Sequence, residues 1–228
     1  MSLAKKRKGK GKAKATAPTK KRTRLSREKR EQQIVEEAVC YFAEVGFGGQ
    51  TRELARRLGI SQSLLFRYFP SKDTIVERVY EEVYIRRWKP EWEVMLTDRS
   101  ISLDDRLTDF YLDYTHTIFE YEWVRILIFS GIKGVTSYQK YLGLIKNRIL
   151  KRICIELRAT YKLPDADKNQ VTQRELDLAW SLHGGVFYIA IRKYIYGVEK
   201  RDNFDQAIRD NIKSFLNGAP KTLKSILN

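Results

Sequence analysis

The chain has 228 residues, 43% of them hydrophobic, and is therefore long enough to form one large or two modest domains around an apolar core. Lysine and arginine outnumber aspartate and glutamate by 44 to 28, which gives a formal net charge of +16. This composition excludes a chain that is disordered throughout.

The basic excess is concentrated at the start of the chain. Residues 1–24, MSLAKKRKGKGKAKATAPTKKRTR, contain 11 basic side chains and no acidic one. They contain almost no large apolar side chains, so their composition predicts a disordered basic tail. Such a tail is either a polycationic arm that attracts phosphates or a segment that keeps the protein soluble.

Neither a signal peptide nor a membrane span is predicted. The longest apolar patch, Ile126-Leu127-Ile128-Phe129, is too short for either. The two cysteines, Cys40 and Cys154, form no CxxC pair and fall within helical patterns, so we expect two core thiols. The chain is therefore expected to be cytoplasmic, with no membrane partner, no metal site and no cofactor.

Apolar residues recur at helical spacing along the rest of the chain. The first predicted helix buries Ile34, Ala38, Phe42 and Val45. No strand-like alternation persists, so the predicted fold class is all-α, with a three-helix N-terminal domain and a larger C-terminal helical bundle. The nine predicted helices cover residues 26–45, 51–58, 62–69, 72–88, 102–120, 122–131, 137–161, 173–196 and 203–217.

Residues 51–69 match the steric pattern of a helix-turn-helix. Ala55 is the small residue needed where the two helices cross, and Gly59 suits the left-handed position of the turn. Ser61 is a suitable cap for the second helix. The positions predicted to pack on a shared core are Leu54, Leu58, Ile60, Leu65 and Tyr68.

The same pattern turns polar side chains outward at the start of the second helix, where a recognition helix enters the major groove. Gln62 can bond an adenine edge twice, and Leu64 can touch a thymine methyl group. Thr51 and Arg52 begin the preceding helix, where they can hold a phosphate, or Arg52 can reach a guanine. The alternative is a structural corner with a solvated basic face. The predicted outward side chains are Gln62, Ser63, Leu64 and Arg67.

Residues 34–72 resemble the DNA-binding domain of the TetR (tetracycline-repressor-like) family of bacterial transcriptional regulators. The resemblance lies in Ala38, Phe42 and Gly46-Phe47, then in LARRLGIS, then in LFRYFPSK. It implies a DNA-binding domain over residues 25–72 and a ligand-binding, dimerising domain over residues 73–228. The DNA contacts that it implies by position are Thr51, Arg52, Gln62, Ser63, Leu64, Tyr68 and Lys72.

Two features depart from the family pattern. Phe66 stands where members usually have a tyrosine whose hydroxyl reaches a phosphate, so that contact is either lost or made by Arg67. The turn at Gly48-Gly49 is one residue shorter than usual.

The resemblance also implies an effector pocket between the C-terminal helices, mostly apolar with a few polar groups. Ordinary core packing is the alternative for each aromatic residue in this region. The residues predicted to line the pocket are Phe110, Tyr114, His116, Trp123 and Phe129.

The sequence His183-Gly184-Gly185 falls inside the predicted helix 173–196, where two glycines cost about 1 kcal/mol each relative to alanine. A close approach of another backbone to these glycines would compensate for that cost. Because the last two long helices of the family form its dimer interface, the resemblance implies such contact here; a kink within one subunit is the alternative. The residues predicted at this interface are Trp180, Gly184, Gly185, Tyr188 and Phe215.

Together these features predict a homodimeric, sequence-specific transcriptional regulator, in particular a repressor that a small-molecule effector releases from a palindromic operator in double-stranded DNA. The alternative is a weakly selective architectural DNA-binding protein that relies on its basic tail. An enzyme is not expected, and no catalytic residue is predicted, because HExxH, GxSxG and phosphate-loop motifs are absent from the sequence.

Overall fold

The computed structural model describes residues 26–134, 136–166 and 168–227, without the side chains of residues 136–138. The predicted basic tail, residues 1–24, lies outside the described residues. Every regular element in the described residues is a helix, which confirms the all-α prediction. No described helix is both long and apolar enough to cross a lipid bilayer.

Eleven α-helices follow one another in the described chain. Two of them continue into a π-helical turn: Glu81–Ile85 extends α4, and Ile145–Leu150 joins α8 to α9. The helices are α1 Arg27–Val45, α2 Thr51–Arg57, α3 Gln62–Tyr68, α4 Lys72–Tyr80, α5 Glu91–Thr97, α6 Leu103–Ile118, α7 Tyr121–Lys133, α8 Thr136–Leu144, α9 Lys151–Thr160, α10 Gln173–Tyr194 and α11 Asp205–Leu227.

Two helices differ from the sequence prediction. The helix α5 was not predicted, because seven residues are too few to show a clear helical period; it is held by the buried Trp92 and Leu96. The helix α11 continues to Leu227 instead of ending at residue 217, although it contains Pro220. Its last turns bury Ala219 and Leu223, so packing compensates for the hydrogen bond that proline cannot donate.

The first helix begins and ends where the sequence predicts. The Ser26 side chain accepts a hydrogen bond from the backbone N–H of Lys29, and Gly46 ends the helix at a positive φ of 73°. Its buried face contains Ile34, Ala38 and Phe42 as predicted. The prediction for Val45 was wrong: this residue lies in the last turn and is half exposed, whereas Tyr41 in the preceding turn is buried.

The helix α1 joins the N-terminal helices to the rest of the protein, because it packs on both α4 and α7. Further along the chain, α11 packs on α6 and α10, and α5 packs on α6 and α9. A continuous aromatic core fills the space between these helices, with Trp92, Phe110, Tyr111, Tyr114 and Trp123 all almost fully buried.

A buried ion pair closes the loop between α9 and α10. Arg158 donates two hydrogen bonds of 2.6 Å to the carboxylate of Glu175, and the two side chains are only 1% and 0% exposed. Glu175 also forms a capping box with Thr172 at the start of α10. Arg158 further donates to the carbonyls of Pro164 and Asn169 in the loop, so one side chain fixes the whole connection.

The two cysteines have different environments. Cys154 is buried, as expected. Cys40 is exposed, which corrects the prediction of two core thiols. The reason is its position on α1, one turn from the exposed Glu36 and one turn from the exposed Glu44, on the side of the helix that faces solvent.

Candidate DNA-binding surface and effector cleft

The helices α2 and α3 form the predicted helix-turn-helix corner. Ala55 is buried at the crossing, and its carbonyl accepts a 3.0 Å hydrogen bond from the N–H of Ile60 across the turn. Gly59 has the left-handed φ of 63° that this turn requires. The Ser61 hydroxyl accepts from the N–H of Leu64 at 3.1 Å and so caps α3. Leu54 and Leu65 are fully buried beneath the corner.

The tight entry into α2 depends on a glycine. A Cβ atom at Gly49 would lie 2.7 Å from the ring of Tyr41 and 2.7 Å from a methyl group of Val45. The Tyr41 hydroxyl also donates to the carbonyl of Gln50 at 3.2 Å. The short Gly48-Gly49 turn therefore brings the start of α2 directly against the end of α1.

The start of α3 faces outward, as the sequence predicts. Gln62, Ser63 and Arg67 are exposed, and Leu64 is half buried. The Gln62 side-chain amide donates a hydrogen bond of 2.9 Å to the hydroxyl of Thr51. The first turns of α2 and α3 thus present their polar side chains together, on one surface.

The arginines of this corner fall into two groups. Arg56 is paired with Glu53, and Arg57 is paired with Glu44. These two guanidinium groups are therefore partly neutralised, and the i, i+3 spacing of Glu53 and Arg56 is a sequence signal for one of the pairs. By contrast, Arg52 and Arg67 are exposed and form no ion pair with any residue that the structure describes.

The remaining predicted DNA contacts are more enclosed. Tyr68 is half buried against the core. The Lys72 ammonium group donates to the carbonyl of Phe47 at 2.5 Å and so points partly inward. Burial and then the nearby Lys133 lower the pKa of Lys72, which Asp73 opposes. Phe66, at the position of the family's tyrosine, is exposed.

The predicted effector residues do not come together in one place. Tyr114 and Trp123 line a cleft of about 400 Å³ between α6, α7, α8 and α10. Phe110 instead lies in the core, stacked on Tyr114 at 5.4 Å. His116 is on the surface, 2.8 Å from Asp205, beside a separate hollow. The cleft residues that sequence reasoning missed include Leu127, Tyr141, His183 and Phe187.

Phe129, the fifth predicted effector residue, lies against the C-terminal end of α1. Its ring is 3.3 Å from the position that a Cβ atom would take at Gly46. On the same helix, α7, the Arg125 guanidinium donates to the carbonyls of Ala43 and Glu44 at 2.5 and 3.2 Å. Both contacts fall on the C-terminal end of α1, where a cation is favourable.

The predicted dimer residues are distributed over different environments. The helix α10 runs unbroken through both glycines, and a Cβ atom at Gly185 would lie 2.9 Å from the side chain of Asn211 in α11 of the same subunit. Gly184, which also lines the cleft, has open space beside it, and Tyr188 is exposed. Trp180 lines the cleft, and Phe215 packs partly buried against the core.

Comparison with known proteins gives a family match near the start of the chain. The family described as "Bacterial regulatory proteins, tetR family" matches residues 34–79. The HTH-type transcriptional regulator LuxR of Vibrio harveyi is 40% identical over 63 residues. That match spans 27% of this chain and only 31% of the relative.

The fold of most of the chain is shared with solved structures. A TetR-like transcriptional regulator from Rhodococcus sp. RHA1 aligns with a TM-score of 0.64 and 20% identity, over 86% of this chain and 98% of its own. The TetR family transcriptional regulator PfmR from Thermus thermophilus aligns with a TM-score of 0.57 and 20% identity, over 81% of this chain and 97% of its own. Residues 34–79 therefore match the tetR family, and most of the chain shares its fold with structures described as TetR-like regulators.

Proposed function

We propose that the protein is a homodimeric transcriptional repressor that binds a palindromic operator and is released from it by a small-molecule effector. The observation that carries this proposal is the exposed start of α3, where Gln62 is held by Thr51 and flanked by the unpaired Arg52 and Arg67. A DNA-reading surface needs this combination of base-reading polar groups and phosphate-binding cations.

Each of these side chains has a role that its geometry supports. Gln62 retains one amide hydrogen and its carbonyl oxygen for an adenine edge after donating to Thr51. Arg52 and Arg67 are the phosphate ligands, because they are exposed and their charges are not neutralised by the described chain. Lys72 contributes less directly, since its ammonium group is already bonded to Phe47.

A twofold assembly follows from the way such corners read DNA. Two recognition helices must reach half-sites about 34–36 Å apart, or a multiple of that distance, on one face of the duplex. We assign the dimer contact to the outer faces of α10 and α11 within the C-terminal domain, residues 73–228. The exposed Gly184 and Tyr188 support this assignment, since Gly184 leaves room for a close approach of a second helix.

The helix α7 connects the effector cleft to the DNA-binding domain. It supplies Trp123 and Leu127 to the cleft, and it supplies Arg125 and Phe129 to the end of α1. An effector that favours a different position of α7 would therefore reorient the DNA-binding domain. The effector can lower the operator affinity only by as much as its own affinities for the two conformations, with α7 in one position or the other, differ.

A second contact joins the cleft to α4. Tyr84, in the π-helical turn that extends α4, packs edge-on against the ring of Trp123 at 5.2 Å. Its hydroxyl also donates to the Trp123 carbonyl at 3.4 Å. A ligand that contacts Trp123 can therefore displace α4 as well as α1. These two helices flank the helix-turn-helix corner in the sequence.

Selection of bound fragments from random duplex DNA tests the function. We expect enrichment of one palindromic sequence that stays bound in excess competitor DNA and at raised salt. An architectural DNA-binding protein would give no enriched palindrome and would lose affinity for all sequences with a steep salt dependence. Repeating the selection without residues 1–24 separates the contribution of the tail, because a regulator keeps the same palindrome when the tail is removed.

A further inference from the structure

The cleft between α6, α7, α8 and α10 has a distinctive chemistry. Its volume of about 400 Å³ lies within the range of roughly 300–1,000 Å³ that is usual for small-molecule sites. Aromatic rings supply much of its lining: Tyr114, Trp123, Tyr141, Trp180 and Phe187. No aspartate, glutamate, lysine or arginine of the described chain lines it.

Two buried polar atoms on the lining residues have no hydrogen-bond partner within the described residues. They are Nε1 of Trp123 and Nδ1 of His183, on side chains that are 1% and 7% exposed. Buried polar groups are nearly always bonded, so each such exception calls for an explanation. The indole N–H of Trp123 is only a donor, and no described residue accepts its hydrogen bond.

A third polar group belongs to a tyrosine pair. The hydroxyls of Tyr114 and Tyr141 are 2.6 Å apart, so one donates to the other. The hydroxyl that accepts keeps its own proton as a further donor. Burial raises the pKa of both tyrosines, and both hydroxyls are therefore protonated at neutral pH.

His183 is neutral in this environment. Its ring is surrounded by those of Tyr111, Tyr114 and Trp180, with centroids 5.6 to 6.1 Å away. Burial lowers the pKa of His183 to about 4. The cleft therefore offers neither a cation to bind an anionic ligand nor a carboxylate to bind a cationic one.

We propose that the effector is an uncharged, mainly aromatic molecule with a carbonyl-type acceptor that receives the hydrogen bond of the Trp123 indole. This inference rests on the proposed function, because it assigns the chemical class of the effector. The aromatic walls provide stacking and edge-on contacts for a planar ring system. Aromatic rings also attract cations, but a cation here would lose its hydration without gaining an opposite charge.

Four naphthalene probes test the inference by calorimetric titration of the full chain without DNA. They are 2-acetylnaphthalene, 2-ethylnaphthalene, 2-naphthoate and 2-naphthyltrimethylammonium, which share one ring system and differ in charge and acceptor. We expect the ketone to bind roughly 3- to 10-fold more tightly than the ethyl compound, as one neutral hydrogen bond allows. Both charged probes should bind at least about ten-fold more weakly than the ketone.

The variant Trp123→Phe keeps the aromatic ring and removes the N–H group. We expect it to abolish the preference for the ketone over the ethyl compound. The matched control is Phe187→Leu, which alters another aromatic residue of the lining that has no hydrogen-bond donor and should change the two affinities alike. The carbonyl stretching frequency of the ketone bound to the unsubstituted protein gives a second readout, because a donated hydrogen bond lowers it.

The outcomes separate the two proposals. A charged probe that binds as tightly as the ketone overturns the inference, as does a ketone that does not bind, or that binds with an unshifted carbonyl frequency. The selection from random DNA does not involve the cleft. A failure there would contradict the proposed function, whereas a failure of the probes leaves the DNA-binding proposal standing.

Discussion

The Gln62 side chain donates a 2.9 Å hydrogen bond to the hydroxyl of Thr51 and thereby joins the first turns of α2 and α3. Both residues were predicted to contact DNA, one as a base reader and the other as a phosphate ligand. In the structure they form one unit, because the orientation of the Gln62 amide depends on the Thr51 hydroxyl. If Gln62 reads a base as we propose, that reading depends on a residue in the preceding helix.

We expect Thr51→Val to relax base preference. The change keeps the shape of the side chain but removes the acceptor, so Gln62 loses about 1 kcal/mol of orienting interaction, or roughly five-fold in discrimination. The measurement is the Kd for the selected operator and for duplexes with each base pair replaced. Gln62→Ala should relax base preference at the same position of the operator. The double variant should relax it little further than Gln62→Ala alone. Additive effects would contradict the coupling.

The two unpaired arginines should control the salt dependence of binding. Removing one phosphate contact lowers the slope of log K against log salt by about 1. We expect Arg52→Ala and Arg67→Ala each to show this change, measured by DNA binding between low and physiological salt. Arg56→Ala is the matched control, because this arginine is already bonded to Glu53. An equal change in all three slopes would contradict the division between paired and unpaired arginines.

The helix-turn-helix could be predicted because its determinants are local. The small residue Ala55, the left-handed Gly59 and the cap Ser61 lie within one short segment, and each has a backbone role that its residue type reveals. The direction of the Lys72 side chain could not be predicted in the same way. It depends on the carbonyl of Phe47, 25 positions earlier in the chain.

The proposed effector cleft was harder to predict for the same reason. Phe110 and Tyr114 are one turn apart on α6, yet only Tyr114 lines the cleft. Helical spacing does not distinguish them, because the rotation of α6 is set by the helices that pack on it. The expected backbone contact at Gly185 across a dimer stays a prediction; within the subunit its neighbour is the Asn211 side chain, which only the packing of α11 on α10 reveals.

Gly184 and Gly185 provide a matched test of the dimer. Leucine at Gly184 would meet no other atom within 4 Å of its Cβ in the isolated subunit, where Gly184 also lines the cleft, so we expect Gly184→Leu to keep the fold and weaken the dimer. Leucine at Gly185 would meet Asn211 at about 2.9 Å and should destabilise the subunit itself. Sedimentation and thermal unfolding measure the two effects. A fully dimeric Gly184→Leu protein would count against the proposed interface.

Arg125 should contribute to the stability of the folded protein and to the release of the operator by an effector. We expect Arg125→Met to lower the free energy of unfolding by about 1–3 kcal/mol, because it removes charged hydrogen bonds to the end of α1. Arg148→Met, which breaks only an exposed pair with Glu93, should cost less than about 1 kcal/mol.

The same Arg125 variant also tests the route from the cleft to the DNA. With an effector found by thermal-shift screening, we expect the ratio of operator Kd values with and without that effector to move toward one. The Arg148→Met control should keep the normal ratio. Full release by the effector in the Arg125→Met protein would exclude this contact as the link between α7 and α1.

The buried pair of Arg158 and Glu175 should control acid stability. Burial raises the pKa of Glu175, but the hydrogen bonds from Arg158 and Thr172 outweigh it and hold that pKa below its usual value. A carboxyl group with a lowered folded-state pKa stabilises the protein above its unfolded-state pKa of about 4.3. That stabilisation is lost as the pH falls through the lower folded-state value.

We therefore expect Glu175→Gln to lower the free energy of unfolding at pH 7 by about 3–5 kcal/mol, because it leaves the Arg158 charge buried without a carboxylate. Its unfolding free energy should also depend less on pH below about 4.3. Replacing both residues, as Arg158→Met with Glu175→Leu, should restore only part of the loss at pH 7, because apolar side chains can replace the ion pair but not the hydrogen bonds of Arg158 to the carbonyls of Pro164 and Asn169. Chemical denaturation between pH 3 and 7 measures all three proteins. An unchanged pH dependence in Glu175→Gln would show that other carboxylates control the acid transition.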